Sequence, residues 1–190
     1  MDALILAGGE NTRFLFHKGL AEIQGKRIIE ITLDMLRKYF NKVWISTNSP
    51  EKYFYLGLPM IGDIVNVRGP LTGIFSVLAC TGVPEIFVTA CDMPFISADV
   101  VQLIKKNYRG QDAVIPVFNG NPQPLLGIYS STVRDVIEER ILFKTRAMRD
   151  LLNDIDVYYL PEQEVLNVDP EGKSFININT REDLKQVTGG

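Results

Sequence analysis

A chain of 190 residues with 46% hydrophobic and 23% charged side chains has the proportions of one soluble globular domain, so residues 1–190 are read as a single unit. At this length about 70% of the surface exposed by the unfolded chain can be buried, which excludes disorder as the main state. Twenty Lys and Arg against 23 Asp and Glu leave a net charge of −3. That balance argues against a nucleic-acid partner held on a broad basic surface and permits only a local basic pocket.

The chain opens on an apolar run, Ala3–Ala7, closed by Gly8-Gly9. It has no basic leader and is too short for a signal peptide or a membrane span, so a soluble, cytoplasmic protein with no membrane partner is expected. Next come Ile28, Ile31, Met35, Leu36 and Tyr39 at helical spacing, with Glu30, Asp34, Arg37 and Lys38 mostly opposite. The apolar or β-branched runs Val43–Thr47 and Ile86–Ala90 predict strands, and Leu71–Leu78 between them predicts a helix. Val100–Tyr108 predicts another helix, with Ser97 as its N-cap. Ala113–Phe118, Asn119-Gly120 and Asn121–Tyr129 predict a β-hairpin, because Asn-Gly supplies the positive φ values of a type I′ turn. Pro122 and Pro124 confine its second arm to an edge or a bulged start, so a projecting arm walling a cleft is expected. Val157–Leu160 predicts one more strand. Phe175–Ile178 then reads as a strand entering a helix that Thr180 and Asp183 close as a capping box. Strands alternating with helices predict the α/β class: a Rossmann-like, three-layer fold with a mostly parallel sheet and a β-hairpin arm.

Cys80 and Cys91 each lie in an apolar stretch with neither disulfide nor metal spacing, and His17 is the single histidine. The expectation is two buried thiols in a reducing compartment and no zinc site.

Three segments carry chemistry. Leu4-Ile5-Leu6-Ala7-Gly8-Gly9 ends a strand in paired glycines that present backbone N–H groups, and Arg13 and Lys18 add the positive charge a polyphosphate requires. The plainer alternative is a glycine turn followed by two solvated cations. Thr89-Ala90-Cys91-Asp92-Met93-Pro94 ends an apolar strand in one carboxylate, at the sheet edge where α/β proteins collect ligands. Asp92 there suits Mg²⁺ held by few protein ligands and several waters; the alternative is a turn-forming aspartate before Pro94. Arg68-Gly69-Pro70-Leu71-Thr72-Gly73 opens a helix, either toward a ligand or for tight helix–sheet contact. Lys144, Arg146 and Arg149 cluster on a helix, more plausibly as a solvated face than as phosphate ligands.

Taken in order, these segments resemble the molybdenum cofactor guanylyltransferases of the nucleotidyltransferase superfamily. The matching stretches are Leu6-Ala7-Gly8-Gly9 with Arg13 and Lys18, Gly69-Pro70-Leu71-Thr72-Gly73, Cys91-Asp92-Met93-Pro94, Gln123-Pro124-Leu125-Leu126-Gly127-Ile128-Tyr129, and Asn177-Ile178-Asn179-Thr180-Arg181-Glu182-Asp183-Leu184. The resemblance implies transfer of GMP from GTP to the phosphate of molybdopterin or Mo-molybdopterin, with Mg²⁺ as cofactor and pyrophosphate as product. Partner proteins that deliver molybdopterin or accept the product accompany that role. By position, Leu6, Ala7, Gly8, Gly9, Arg13, Lys18, Asn48, Asp63 and Asp92 form the GTP site, with Lys18 and Asp92 catalytic and Asp92 the metal ligand. Gln123, Asn177 and Asn179 fall on the molybdopterin side. The loop Phe14-Leu15-Phe16-His17-Lys18 departs from the family's Met-Gly-x-Asp-Lys. That departure keeps two alternatives open: a sibling enzyme using CTP or a sugar phosphate, and a non-catalytic nucleotide-binding protein.

Overall fold

The computed structural model describes residues 1–8, 18–143, 147–180 and 182–184. In chain order the elements are β1 (Asp2–Leu6), β2 (Glu22–Ile23), β3 (Lys26–Arg27), α1 (Ile28–Leu36), β4 (Val43–Ser46), β5 (Met60–Ile61), α2 (Pro70–Thr81) and β6 (Glu85–Ala90). There follow α3 (Ala98–Asn107), β7 (Ala113–Phe118), β8 (Asn121–Pro122), β9 (Leu126–Ser130), α4 (Arg134–Leu142), α5 (Met148–Leu152), β10 (Val157–Leu160) and α6 (Glu162–Val168). All six strands expected from apolar runs are present. The additional β2–β3 ribbon turns through Gln24 and Gly25, both at positive φ, a geometry that glutamine does not advertise in a sequence.

The main sheet has the order β10-β7-β9-β6-β1-β4-β5, with β8 beside the tip of β7. Neighbours are parallel except for the short β8 on β7 and for β9, which runs antiparallel to both β6 and β7. Alternate residues of one strand face opposite layers. Ala3 and Ile5 pack with Leu33 of α1, Ile104 of α3 and Val165 of α6, whereas Leu4 and Leu6 pack with Ile74 of α2, Ile137 of α4 and Leu151 of α5. With both faces covered, the central strands are apolar at nearly every position, Thr89 and Ser46 being buried exceptions, which is why these strands read as nearly unbroken runs.

Four expectations need correction. The buried stripe of α1 is Ile28, Ile29, Thr32, Leu33 and Leu36; Ile31 and Met35 flank it, and Tyr39 lies beyond the helix. Thr32 hides the stripe in the sequence because its polar side chain is buried by donating to the Met93 carbonyl (3.1 Å) or to the Ile28 carbonyl (3.2 Å). The hairpin forms, with Asn119 and Gly120 at φ 51° and 67°, but its second arm does not project as a whole. Pro122 and Pro124 sit at or before a break, and Leu126–Ser130, free of proline, enters the middle of the sheet as β9. Neither cysteine is fully buried. Cys80 is exposed in the last turn of α2 and Cys91 is half-buried just past β6. Finally, Lys173–Phe175 is a 3-10 turn and residues 176–179 pair in no ladder, so no strand precedes the capping box. The box itself is present: the Asp183 N–H donates to Thr180 Oγ1 (2.9 Å), and the Thr180 N–H donates to Asp183 Oδ2 (2.8 Å).

Gly127 marks how closely β9 is held. A Cβ there would lie 2.6 Å from the Val114 carbonyl oxygen, a backbone atom that cannot rotate away. Gly127→Ala should destabilise the protein by about 1–3 kcal/mol, the range for overpacking, and lower the midpoint of denaturant unfolding without changing its slope.

Candidate active site

The parallel strands β1, β4 and β6 bring their carboxyl ends to one edge. Leu6 stands opposite Ser46 on one side and Ala90 on the other. Backbone bonds extend this alignment past the strands: the Ala7 N–H donates to the Ser46 carbonyl (2.9 Å), and the Cys91 N–H donates to the Leu6 carbonyl (3.1 Å). Ala7-Gly8, Thr47-Asn48 and Cys91-Asp92 therefore emerge side by side. Because β9 is antiparallel, its leading residues Gln123–Leu125 reach the same edge.

Asn48 and Asp63, far apart in sequence, meet here. Asn48 Nδ2 donates to Asp63 Oδ2 (2.6 Å), and the Asp63 N–H donates to Asn48 Oδ1 (2.8 Å). Among the described residues no hydrogen bond is made to the second carboxylate oxygen of Asp63. Gly62 permits the approach, since a Cβ on it would lie 3.1 Å from Asn48 Oδ1.

Asp92 is half-buried, and its carbonyl accepts the Ile178 N–H (2.9 Å). That bond sets exposed Asn177 and Asn179 on either side of a residue tied to the Asp92 backbone. Lys18 opens a 3-10 turn, Lys18–Leu20, that packs beside β6: a Cβ on Gly19 would lie 3.2 Å from Cys91 Cβ. Gly9, Arg13 and the departing loop Phe14–His17 lie outside the described residues, as does the side chain of Lys18. The Tyr53 phenol is buried beneath this edge. Burial, and then the nearby Cys91 thiol, push its pKa well above the ordinary range, so it stays neutral.

Gln123, expected on the molybdopterin side, and Arg149, read as part of a solvated basic cluster, both bond to the hairpin. Gln123 Nε2 donates to the Phe118 carbonyl (3.4 Å) and the Asn121 carbonyl (3.2 Å), closing the hairpin. Arg149 donates to Asn121 Oδ1 (3.1 Å) at the hairpin tip, while Lys144 and Arg146 lie outside the described residues. The sequence reading missed Glu162, whose carboxylate accepts the N–H groups of Asn119 (2.5 Å) and Gly120 (3.2 Å) and holds the turn against α6. No spacing signal links α6 to that turn, because the pairing spans more than forty residues.

A second anchor was equally invisible. The buried Asp169 carboxylate accepts the N–H groups of Lys173 (3.1 Å) and Ser174 (2.8 Å), and Ser174 Oγ accepts the Ser97 N–H (2.9 Å). The turn also needs Gly172 at φ +61°, where a Cβ would lie 2.0 Å from the Phe118 ring that stacks on Phe175 at 4.6 Å.

Among the described residues no three Asp, Glu, His or Cys side chains gather as a metal cage. Among the described residues, a lone carboxylate at Asp92 offers too few ligands for a resident metal. It suits a small hard cation that arrives on phosphate oxygens, keeps its waters and adds one carboxylate. Nor is any helix among the described residues long and apolar enough to cross a membrane.

A glycine-ended strand, a carboxylate-ended strand and a polar pair thus share one sheet edge, the place where open α/β sheets collect their ligands. Residues 3–158 match the family described as MobA-like NTP transferase domain, and the chain belongs to that family of nucleotidyltransferases. It is 34% identical to a protein of Peptoclostridium acidaminophilum named "Probable molybdenum cofactor guanylyltransferase", over 98% of this chain and 87% of the relative. It is 31% identical to the molybdenum cofactor guanylyltransferase of Desulfosudis oleivorans, over 98% of this chain and 95% of the relative. The solved structure of molybdopterin-guanine dinucleotide biosynthesis protein A from Archaeoglobus fulgidus superposes with a TM-score of 0.85 at 28% identity, covering 100% of this chain and 97% of that one.

Asp169→Ala should leave two backbone N–H groups without their acceptor and cost about 2–4 kcal/mol. Thermal melting should show a drop of roughly 5–12 °C, and hydrogen exchange at Lys173 and Ser174 should quicken.

Proposed function

We propose that this protein transfers GMP from GTP to the phosphate of molybdopterin or Mo-molybdopterin, releasing pyrophosphate. The observation that carries the reading is the Asn48–Asp63 pair on the same sheet edge as Asp92 and Ala7-Gly8. Asp63 offers an acceptor with one oxygen already engaged by Asn48 and no donor of its own. The Watson–Crick edge of guanine presents two adjacent donors, N1–H and N2–H₂, to such a group, whereas adenine and cytosine each present a single amino donor beside a ring nitrogen acceptor, N1 or N3, that repels the carboxylate. Full-length relatives carrying the guanylyltransferase name support the same choice. Neither a CTP- or sugar-phosphate-using sibling nor a non-catalytic binder is favoured by them.

In this reading Leu6 and Ala7 contact the nucleotide, with the Ala7 N–H remaining on the Ser46 carbonyl, and Gly8 and Gly9 turn backbone amides toward the phosphates. Arg13 and Lys18 supply positive charge. An oxygen of the molybdopterin phosphate attacks the α-phosphorus of GTP; the new P–O bond forms as the bond to the β-phosphate oxygen breaks, and pyrophosphate leaves with that electron pair. No side-chain nucleophile is required, because positioning and charge neutralisation supply most of the catalysis in phosphoryl transfer. Asp92 would hold Mg²⁺, which supplies neutralisation of the charge on the triphosphate and the leaving group. Asn177 and Asn179, joined to Asp92 through Ile178, line the acceptor side with the hairpin that Gln123 closes. We place the reaction in the cytoplasm, with delivering and accepting proteins docking at this same edge.

Calorimetric titration in the presence of Mg²⁺ should show GTP bound at least about 10²-fold more tightly than CTP or ATP, since mismatched bases leave buried polar groups unpaired. Equal affinities would remove the guanine assignment. Asp92→Asn keeps the shape and deletes one charge. Its rate of pyrophosphate release should fall about 10²–10³-fold with the melting temperature retained, the loss typical of one preorganised electrostatic group. Wild-type turnover with unchanged Mg²⁺ dependence would remove Asp92 from the site.

A further inference from the structure

Asp63 reads a base only if its carboxylate is aimed, and two elements hold it. On one side Asn48 takes both the Asp63 N–H and one carboxylate oxygen. On the other side the next N–H along the chain, that of Ile64, donates to Ser76 Oγ at 3.1 Å. Ser76 lies within α2 and is 0% exposed. A serine inside a helix gains nothing from helix propensity, and a buried hydroxyl must find a partner. Its partner here is a loop amide outside the helix.

The reach depends on Gly73, one turn earlier on the same face of α2. A Cβ on Gly73 would lie 2.6 Å from Ser46 Oγ and 2.8 Å from Leu6 Cδ2, so glycine lets α2 approach the ends of β1 and β4 this closely. Three residues later, Ser76 is thereby delivered to the loop that carries Asp63. The peptide groups before and after Asp63 are both bonded, one to Asn48 and one to Ser76. Beyond Asp63 the loop alternates exposed residues with half-buried Val65 and Val67, and Ile64 itself is 49% exposed, so its N–H depends on Ser76 for a partner within the protein.

We propose that Ser76, through its hydroxyl on the Ile64 amide, is a positioning residue for guanine discrimination. The proposal rests on the reading of Asp63 as the guanine acceptor. With the hydroxyl removed, the Ile64 amide turns to water for its bond and the Asp63 carboxylate loses one of its two backbone restraints. A re-aimed carboxylate accepts from guanine less well, and its penalty against other bases falls with it. The reacting phosphorus lies over the ends of β1 and β6, so turnover at saturation is not touched.

The test compares Mg·GTP and Mg·ATP affinities by calorimetry, and saturated pyrophosphate release with molybdopterin as acceptor, for wild type, Ser76→Ala, Ser76→Cys and Asp63→Ala. For Ser76→Ala the GTP/ATP affinity ratio should fall about tenfold, through GTP, with kcat within about twofold of wild type. Ser76→Cys keeps the shape with a weaker acceptor and should fall between the two; it carries the test if the alanine variant does not fold. An unchanged ratio in both Ser76 variants, or equal loss of GTP and ATP affinity, overturns the proposal and leaves Ser76 a packing residue. If Asp63→Ala keeps the wild-type ratio, the Asp63 reading fails and the proposal falls with it. Collapse of the ratio in Asp63→Ala alone overturns the Ser76 proposal and spares the reading beneath it.

Discussion

Everything at this site depends on parallel pairing among β1, β4 and β6. In a parallel sheet all carboxyl ends lie on one edge, and the N–H and C=O groups left over just past each strand must find partners. Here they find each other, Ala7 on Ser46 and Cys91 on Leu6. These bonds fix where the chain emerges before any side chain is considered. Gly8, Asn48 and Asp92 are neighbours because the backbone ladder runs one residue beyond each strand.

Onto this edge the fold adds close approaches that glycine favours. Gly73 lowers α2 onto β1 and β4, Gly127 lets β9 lie against Val114, and Gly62 admits Asn48 beside the loop of Asp63. Each replaces a side chain with contact between elements, which stiffens the edge without filling the cleft. The antiparallel course of β9 matters for the same reason. Had β9 run parallel, Gln123–Leu125 would have faced the opposite edge, and the hairpin closed by Glu162 and Gln123 would wall nothing.

Much of this was legible in the sequence, and for identifiable reasons. Strands covered on both faces are apolar at nearly every position, so all six long strands were visible as runs. Asn119-Gly120, Ser97 and Thr180 announced a turn and two caps because their side chains or φ values serve local geometry. What escaped reading is non-local. Thr32 looks polar in isolation and is buried only because Met93, 61 residues away, accepts its hydroxyl. Glu162 and Asp169 look like surface acids until the amides they bind are known. The resemblance named Asn48 and Asp63 separately, and their mutual bonding appeared only in three dimensions. The hairpin was read correctly at its turn and wrongly beyond it, because proline marks where a ladder stops and says nothing of where the chain goes next.

The distribution of charge suits the chemistry proposed. A resident metal cage needs several carboxylates close together, and their mutual repulsion would have to be offset in the empty protein. In the proposed reading this edge shares out its functions: a backbone amide at Gly8, a carboxylate at Asp92, and a second carboxylate at Asp63 held by Asn48. A triphosphate carrying its own cation brings positive charge at the moment of binding, so the free site need hold only what Arg13 and Lys18 supply. The net charge of −3 is then no obstacle to binding a polyanion, because the attraction is local and the cation travels with the substrate.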